Sequence, residues 1–65
     1  MRITYDAEVD ALYIQLRPDP ANPADSIDVA PSVTADLDAQ GRVIGIEILD
    51  VRANFGPDAV ETLTL

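Results

Sequence analysis

Two sets of acidic residues carry the clearest chemical potential in this sequence of 65 residues. The first set is Asp6, Glu8 and Asp10, which occupy alternate positions. If this segment is extended, alternate side chains point to one side, and the three carboxylates would converge on one polar face. Oxygen clusters of this kind suit hard cations such as calcium or magnesium. The competing interpretation is a solvated turn whose aspartates accept hydrogen bonds from nearby backbone amides.

The second set is Asp36, Asp38 and Glu47, whose spacing is close to that of the calcium loop D-x-[DN]-x-[DN]-G-x5-E. Gln40 is the one position that departs from this pattern. A calcium loop of this type requires a helix on each side. Both flanks here alternate like strands, and a flat sheet would hold Glu47 far from the two aspartates. The flanks therefore argue against a calcium loop.

Glu47 has two further interpretations, because it lies in an apolar segment but points away from the isoleucines beside it. It could form a cross-strand pair with an arginine such as Arg17 or Arg2. It could instead be a buried carboxylate that serves as an acid or base. The first interpretation is favoured, since nothing nearby supplies a nucleophile or an oxyanion hole.

Other catalytic chemistry has little support in the composition. The chain contains no histidine, no cysteine and no lysine, and neither Ser26 nor Ser32 has an evident base. A chain of this length is also short for building a catalytic cleft. We therefore expect no enzymatic activity, no catalytic residue, no cofactor and no resident metal ion, with the two acidic sets as the only metal candidates.

The net charge of −8 comes from twelve acids and four arginines. Such a surface repels polyanions, so we expect binding neither to nucleic acid nor to an anionic membrane. A basic protein partner would be attracted. The first residues lack the apolar region of a signal peptide, and no run approaches a membrane span of about 20 apolar residues. The absence of cysteine also removes the disulfides typical of small secreted domains, so we expect a cytoplasmic protein.

Polar and apolar residues alternate in five segments, which predicts five strands. The segments are residues 2–5, 11–17, 26–29, 33–37 and 43–49. The predicted fold is mainly β: one domain over residues 1–65, built as a small antiparallel meander of four to five strands with a short helical segment near the C-terminus.

The connections between these strands have distinct signatures. Residues 18–25 hold three prolines and predict an exposed, stiff loop. The sequence Asp38-Ala39-Gln40-Gly41 predicts a hairpin turn in which glycine supplies a positive φ. Asp50 is a candidate cap for a helical turn over residues 51–55 that ends at Gly56, and Pro57 could begin another turn over 58–61. Residues 63–65 could form a terminal strand or arm.

One face of the predicted sheet is apolar. It would collect Leu12, Ile14, Leu16, Val33, Ala35, Leu37, Ile44, Ile46 and Ile48. A short tail cannot cover such a face, and a chain of this length has a marginal core. We therefore expect a homo-oligomer, most simply a dimer in which a second copy covers the face.

Two sequence blocks resemble a known family. They are YD-x-E-x-DALYI at residues 5–14 and D-x-D-x-x-G-x-V-x-GIEIL at residues 36–49, and together they resemble the short prokaryotic proteins of domain of unknown function 2283. The resemblance implies a β-rich, cytoplasmic, prokaryotic protein without an established activity or known catalytic residues. Some members are thought to be encoded beside small toxin-like proteins, which implies an antitoxin-type role.

The favoured function is a non-enzymatic protein-binding module, antitoxin-like in the reading that the resemblance implies. Two alternatives stand beside it. One is a carboxylate-based protein that binds divalent metal ions, and the other is a structural subunit of a larger assembly.

Overall fold

The computed structural model describes residues 1–18 and 22–62. Five antiparallel strands form one sheet, followed by a short helix and a 3-10 turn, which confirms the mainly β prediction. The strands are β1 (Arg2–Asp6), β2 (Ala11–Gln15), β3 (Asp25–Ala30), β4 (Val33–Leu37) and β5 (Val43–Ile48). The helix is α1 (Val51–Phe55), and the 3-10 turn covers Ala59–Thr62. The predicted arm at residues 63–65 and part of the proline loop lie outside the described residues.

The strand order across the sheet is β1-β2-β5-β4-β3, so the predicted meander is interrupted once. After β2 the proline-containing connection takes the chain to the far edge of the sheet, where β3 pairs with β4. The isoleucine-rich β5 thereby lies in the centre, between β2 and β4. A central position is favourable for the most apolar strand. Strand β3 contains two acids and is followed by a proline, which are features typical of an edge strand.

The strand register aligns residues into rows that cross all five strands. The apolar face carries one row of Ile3, Ile14, Ile46, Ala35 and Ile27, and a second row of Tyr5, Leu12, Ile48, Val33 and Ala30. The polar face carries one row of Arg2, Gln15, Gly45, Asp36 and Ser26, and a second row of Thr4, Tyr13, Glu47, Thr34 and Asp28. The period of two in the sequence therefore separates the two faces as predicted.

The turn between β4 and β5 has the predicted form. Gly41 has a φ of 79°, and its amide donates to the carbonyl of Asp38 at 3.0 Å. The Asp38 carboxylate accepts the amides of Gln40 and Arg42 at 2.9 Å each. Positive φ is strained for residues with a side chain, so this turn depends on glycine.

Helix α1 has the predicted extent, and Asp50 lies at the predicted N-cap position, but its side chain does not cap the helix. Asp50 takes a left-handed conformation with a φ of 50°, and its side chain forms no capping hydrogen bond. Asp10 caps the helix from the other end of the chain, because its carbonyl accepts the Val51 amide and its carboxylate accepts the Arg52 amide, both at 3.1 Å. Within the described ranges, no helix has the length and apolar character needed to cross a membrane.

The core is small. The buried apolar residues are Leu12, Ala35, Ile44 and Val51. No side chain in the described part of the chain is fully enclosed, and most of the other residues on the apolar face are only half-buried. One sheet with one short helix therefore leaves much of its apolar face in contact with water.

Candidate functional site

An open cleft of about 730 Å³ lies at the turn end of the β1–β2 hairpin. Its volume is in the range of small-ligand sites, but it is a depression open to solvent and not an enclosed pocket. It is lined by Thr4, Tyr5, Asp6, Ala7, Glu8, Val9, Ala11, Leu12, Tyr13 and Glu47. Three acidic residues and two tyrosines therefore contribute to the lining of one depression, which contains no basic residue.

The loop between β1 and β2 determines where the side chains of Asp6, Glu8 and Asp10 are placed. The Asp6 carboxylate accepts the Glu8 amide at 3.0 Å, which is the local turn that the competing interpretation described. Asp10 has a φ of 55° and lies 3.7 Å from the Arg52 guanidinium (carboxylate oxygen to Nε). Asp10 is therefore engaged with helix α1, while Asp6 and Glu8 face the cleft.

Tyr5 and Asp10 hold this end of the hairpin together. The Tyr5 phenol donates a hydrogen bond of 2.6 Å to the Asp10 carboxylate. This hydrogen bond is the main reason that the pKa of Asp10 is lowered, and it is also the main reason that the pKa of Tyr5 is raised. Tyr5 therefore stays neutral and Asp10 stays charged over the ordinary pH range.

Tyr13 lies flat across the polar face. Its phenol donates to the Asp36 carboxylate at 3.1 Å, and Ser26 donates to the other carboxylate oxygen at 2.8 Å. A Cβ at Gly45 would overlap the Tyr13 phenol, so the glycine provides the space that the ring occupies. Burial raises the pKa of Tyr13, and the hydrogen bond to Asp36 and the charges of Asp36 and Glu47 raise it further.

Glu47 is exposed and lies directly opposite Tyr13 on one side and Thr34 on the other. The interpretation of Glu47 as a buried acid or base was therefore wrong. The predicted pairing with Arg17 was also wrong, because Arg17 reaches Asp38 at 3.3 Å instead. Among the ion pairs of the described residues, none includes Glu47, so its carboxylate is available at the rim of the cleft.

Neither candidate metal set is brought together. The first set separates because Asp10 turns towards α1. In the second set, the Asp36 carboxylate accepts hydrogen bonds from Tyr13 and Ser26, while the Asp38 carboxylate accepts hydrogen bonds from the backbone of its own turn. Over residues 1–18 and 22–62, no group of three or more acidic side chains is placed to hold a metal ion.

The arginines are concentrated on two acids away from the cleft. Asp38 pairs with Arg17 and with Arg42, the latter at 2.8 Å, and Asp10 pairs with Arg52. Three of the four arginines thus neutralise acids outside the cleft, and the potential around Asp6, Glu8 and Glu47 stays negative. Such a site can bind an organic cation.

Sequence reasoning named the cleft acids but not the cleft. Tyr5 and Tyr13 were predicted only as strand residues, although both belong to the lining of the cleft. The register between β2 and β5 brings Glu47 to the first hairpin. A pairing over that sequence distance has no local signal, and the alternation pattern alone could not reveal it.

Comparison with known proteins places the chain in a family. No curated protein and no solved structure matched it. One family model did match, over residues 2–52, a range that holds the whole sheet, the cleft and the start of α1. The chain belongs to the family described as protein of unknown function (DUF2283).

Proposed function

We propose that this protein is a non-enzymatic binding module that holds a basic protein partner at the acidic cleft of its first hairpin. The observation that carries the proposal is the cleft itself. Asp6, Glu8 and Glu47 border it without an arginine in its lining. A lysine or arginine side chain of a partner would supply the missing positive charge.

The two tyrosines add to this complementarity. Tyr5 and Tyr13 line the same cleft, and hydrogen bonds to carboxylates fix both phenols. An aromatic ring within about 6 Å of a cation attracts it through the ring quadrupole. A guanidinium group can therefore contact a carboxylate at the rim and a ring in the cleft, which favours arginine over lysine.

The charge of the whole molecule supports the same partner. A net charge of −8 speeds the encounter with a basic protein at low salt and repels acidic competitors. An antitoxin-type role, in which the partner is a small basic toxin, is the specific form of this proposal that the family resemblance favours.

A short arginine-rich peptide is a suitable probe for the cleft. We expect the double variant Glu8→Gln/Glu47→Gln to bind it about tenfold more weakly than the parent, measured by calorimetric titration at low salt, because both rim charges are lost. The matched control is Asp58→Asn/Glu61→Gln. It changes the net charge equally but alters the C-terminal segment, outside the cleft lining.

The comparison separates the cleft from net charge alone. If both double variants lower the affinity for the peptide equally, the attraction depends on net charge alone and the cleft proposal is wrong. The antitoxin-type role has its own test, which is co-expression with the product of the neighbouring gene followed by affinity purification. Failure to recover a complex would contradict that role but not the cleft.

A further inference from the structure

We infer that the apolar face of the sheet packs against the same face of a second copy of this chain, giving a symmetric dimer with the two sheets face to face. This contact uses the face of the sheet opposite to Asp6 and Glu47, and only Tyr5 and Leu12 belong both to that face and to the lining of the cleft. Three properties indicate that the partner on this face is a second copy of the chain: the composition of the face, its area and the charge of the chain.

The composition of the face is that of one half of a core. Its two rows hold nine apolar residues and Tyr5, with no charged residue among the ten. Leu12 and Ala35 of these rows are buried, but Ile14 and Ile46 on inner strands are only half-buried. Ile27 at the edge is 47% exposed. Central strands of a sheet with a covered face bury such residues.

Outside the sheet, the described residues offer little with which to cover this face. Helix α1 has five residues, so it is about 8 Å long. Five strands spaced by about 4.8 Å span about 19 Å between the outer strand axes. The helix can therefore shield one corner of the sheet, where Val51 is buried, but not its centre.

The exposed area and the radius of gyration of the chain both exceed those of a compact monomer of the same size. A folded monomer of 7.0 kDa is expected to expose about 4,000 Å², whereas this chain exposes 4655 Å². The excess of about 600 Å² is close to what each partner buries in a small specific interface, which is about 600–800 Å². Its radius of gyration is 12.2 Å, against about 11 Å for a compact domain of 65 residues.

Charge selects this face for self-association. Two copies with a charge of −8 each repel one another through any surface that carries acids. The two apolar rows carry none, so contact through them places the acids of both copies on the outside. Sheets stacked in this way lie about 10 Å apart and form a sandwich core.

The test is the native mass, measured by sedimentation or by light scattering at micromolar concentration. We expect the parent protein to have twice the chain mass of 7.0 kDa. Ile27→Asp places a charge on the face at a position that is already 47% exposed, so we expect a folded chain that has become monomeric. The matched control is Val43→Asp, at a site that is 45% exposed and outside both rows, which should remain dimeric.

Each outcome bears on the inference. A monomeric parent protein would overturn it whether or not the variants fold. A larger assembly would overturn the closed dimer and favour a structural subunit. If Ile27→Asp stays dimeric, or if Val43→Asp dissociates equally, the contact lies elsewhere. Circular dichroism verifies that both variants keep their strands, and binding of the arginine-rich peptide reports on the cleft independently.

Discussion

At the scale of single residues, the polar face depends on one absent side chain. Gly45 leaves the space in which Tyr13 lies, and Tyr13 reaches Asp36 across β5 because of it. The Asp36 carboxylate in turn accepts a hydrogen bond from the Ser26 hydroxyl on the edge strand. One glycine therefore allows a hydrogen-bonded chain to cross from β2 to β3.

Gly45→Ala is expected to displace the Tyr13 ring and break its bond to Asp36. We expect the free energy of unfolding to fall by about 1–3 kcal/mol, as overpacking at a closely fitted site usually causes. Urea denaturation measures this loss. In a Tyr13→Ala background the same substitution should have a much smaller effect, because no ring remains to be displaced.

Gly41→Ala is the control for this double-mutant comparison of Gly45 and Tyr13. A Cβ at Gly41 meets nothing within 4 Å, but its φ of 79° is strained for alanine. We expect a loss of about 1 kcal/mol that is the same with and without Tyr13. Equal coupling of both glycines to Tyr13 would contradict the packing explanation.

Asp38 should contribute to the acid sensitivity of the fold. The backbone amide of Arg42, followed by the Arg42 side chain and the Gln40 amide, lowers the pKa of Asp38. A folded pKa below the unfolded value of about 3.9 means that Asp38 stabilises the fold above that pH, and that this stability is lost as pH falls through the folded value. We expect Asp38→Asn to flatten the fall of Tm below pH ~4. Asp58→Asn, at an exposed position of the C-terminal segment, should leave the slope unchanged.

At the scale of elements, Asp10 joins the first hairpin to the helix. It accepts hydrogen bonds from the Tyr5 phenol and from the amides of Val51 and Arg52. A five-residue helix is too short to be stable by itself, so its position depends on such contacts. The helix therefore forms together with the hairpin.

Asp10→Ala is expected to loosen α1 while leaving the sheet intact. We expect the amides of residues 51–56 to exchange with deuterium several-fold faster, because the carboxylate that accepts the Arg52 amide is gone. Exchange in β4 and β5 should change little. Asp50→Ala is the control, since the Asp50 side chain forms no capping hydrogen bond. Faster exchange in the Asp50 variant alone would contradict this assignment.

At the scale of the whole molecule, the inferred dimer would couple folding to association. Only four apolar side chains are buried in the described part of the chain, and much of the apolar face is in contact with water. If the second copy supplies the missing layer, unfolding must separate two chains, and stability then depends on protein concentration.

The urea midpoint of the parent protein is therefore expected to rise with protein concentration across the micromolar range. The Ile27→Asp variant should show a lower midpoint that does not depend on concentration, because it unfolds as a single chain. A midpoint of the parent protein that is independent of concentration would contradict a dimer linked to folding.

The sequence by itself determined the elements and the two faces. The alternation of residues, the glycine turn and the stop at Gly56 are local signals, and β4, α1 and the Asp38–Gly41 turn follow them closely. The acidic charge and the absence of histidine and cysteine are likewise properties of composition. The family resemblance rested on such local blocks, and the family match confirmed it.

The strand order and the site depend on tertiary contacts. Pairing of β2 with β5 brings Glu47 to the first hairpin, and pairing of β4 with β5 brings Asp36 within reach of Tyr13. Tertiary contacts also gave the capping role to Asp10 instead of Asp50. These contacts join residues that are far apart in the chain, and register is set by packing across the whole sheet, so no local spacing could reveal them.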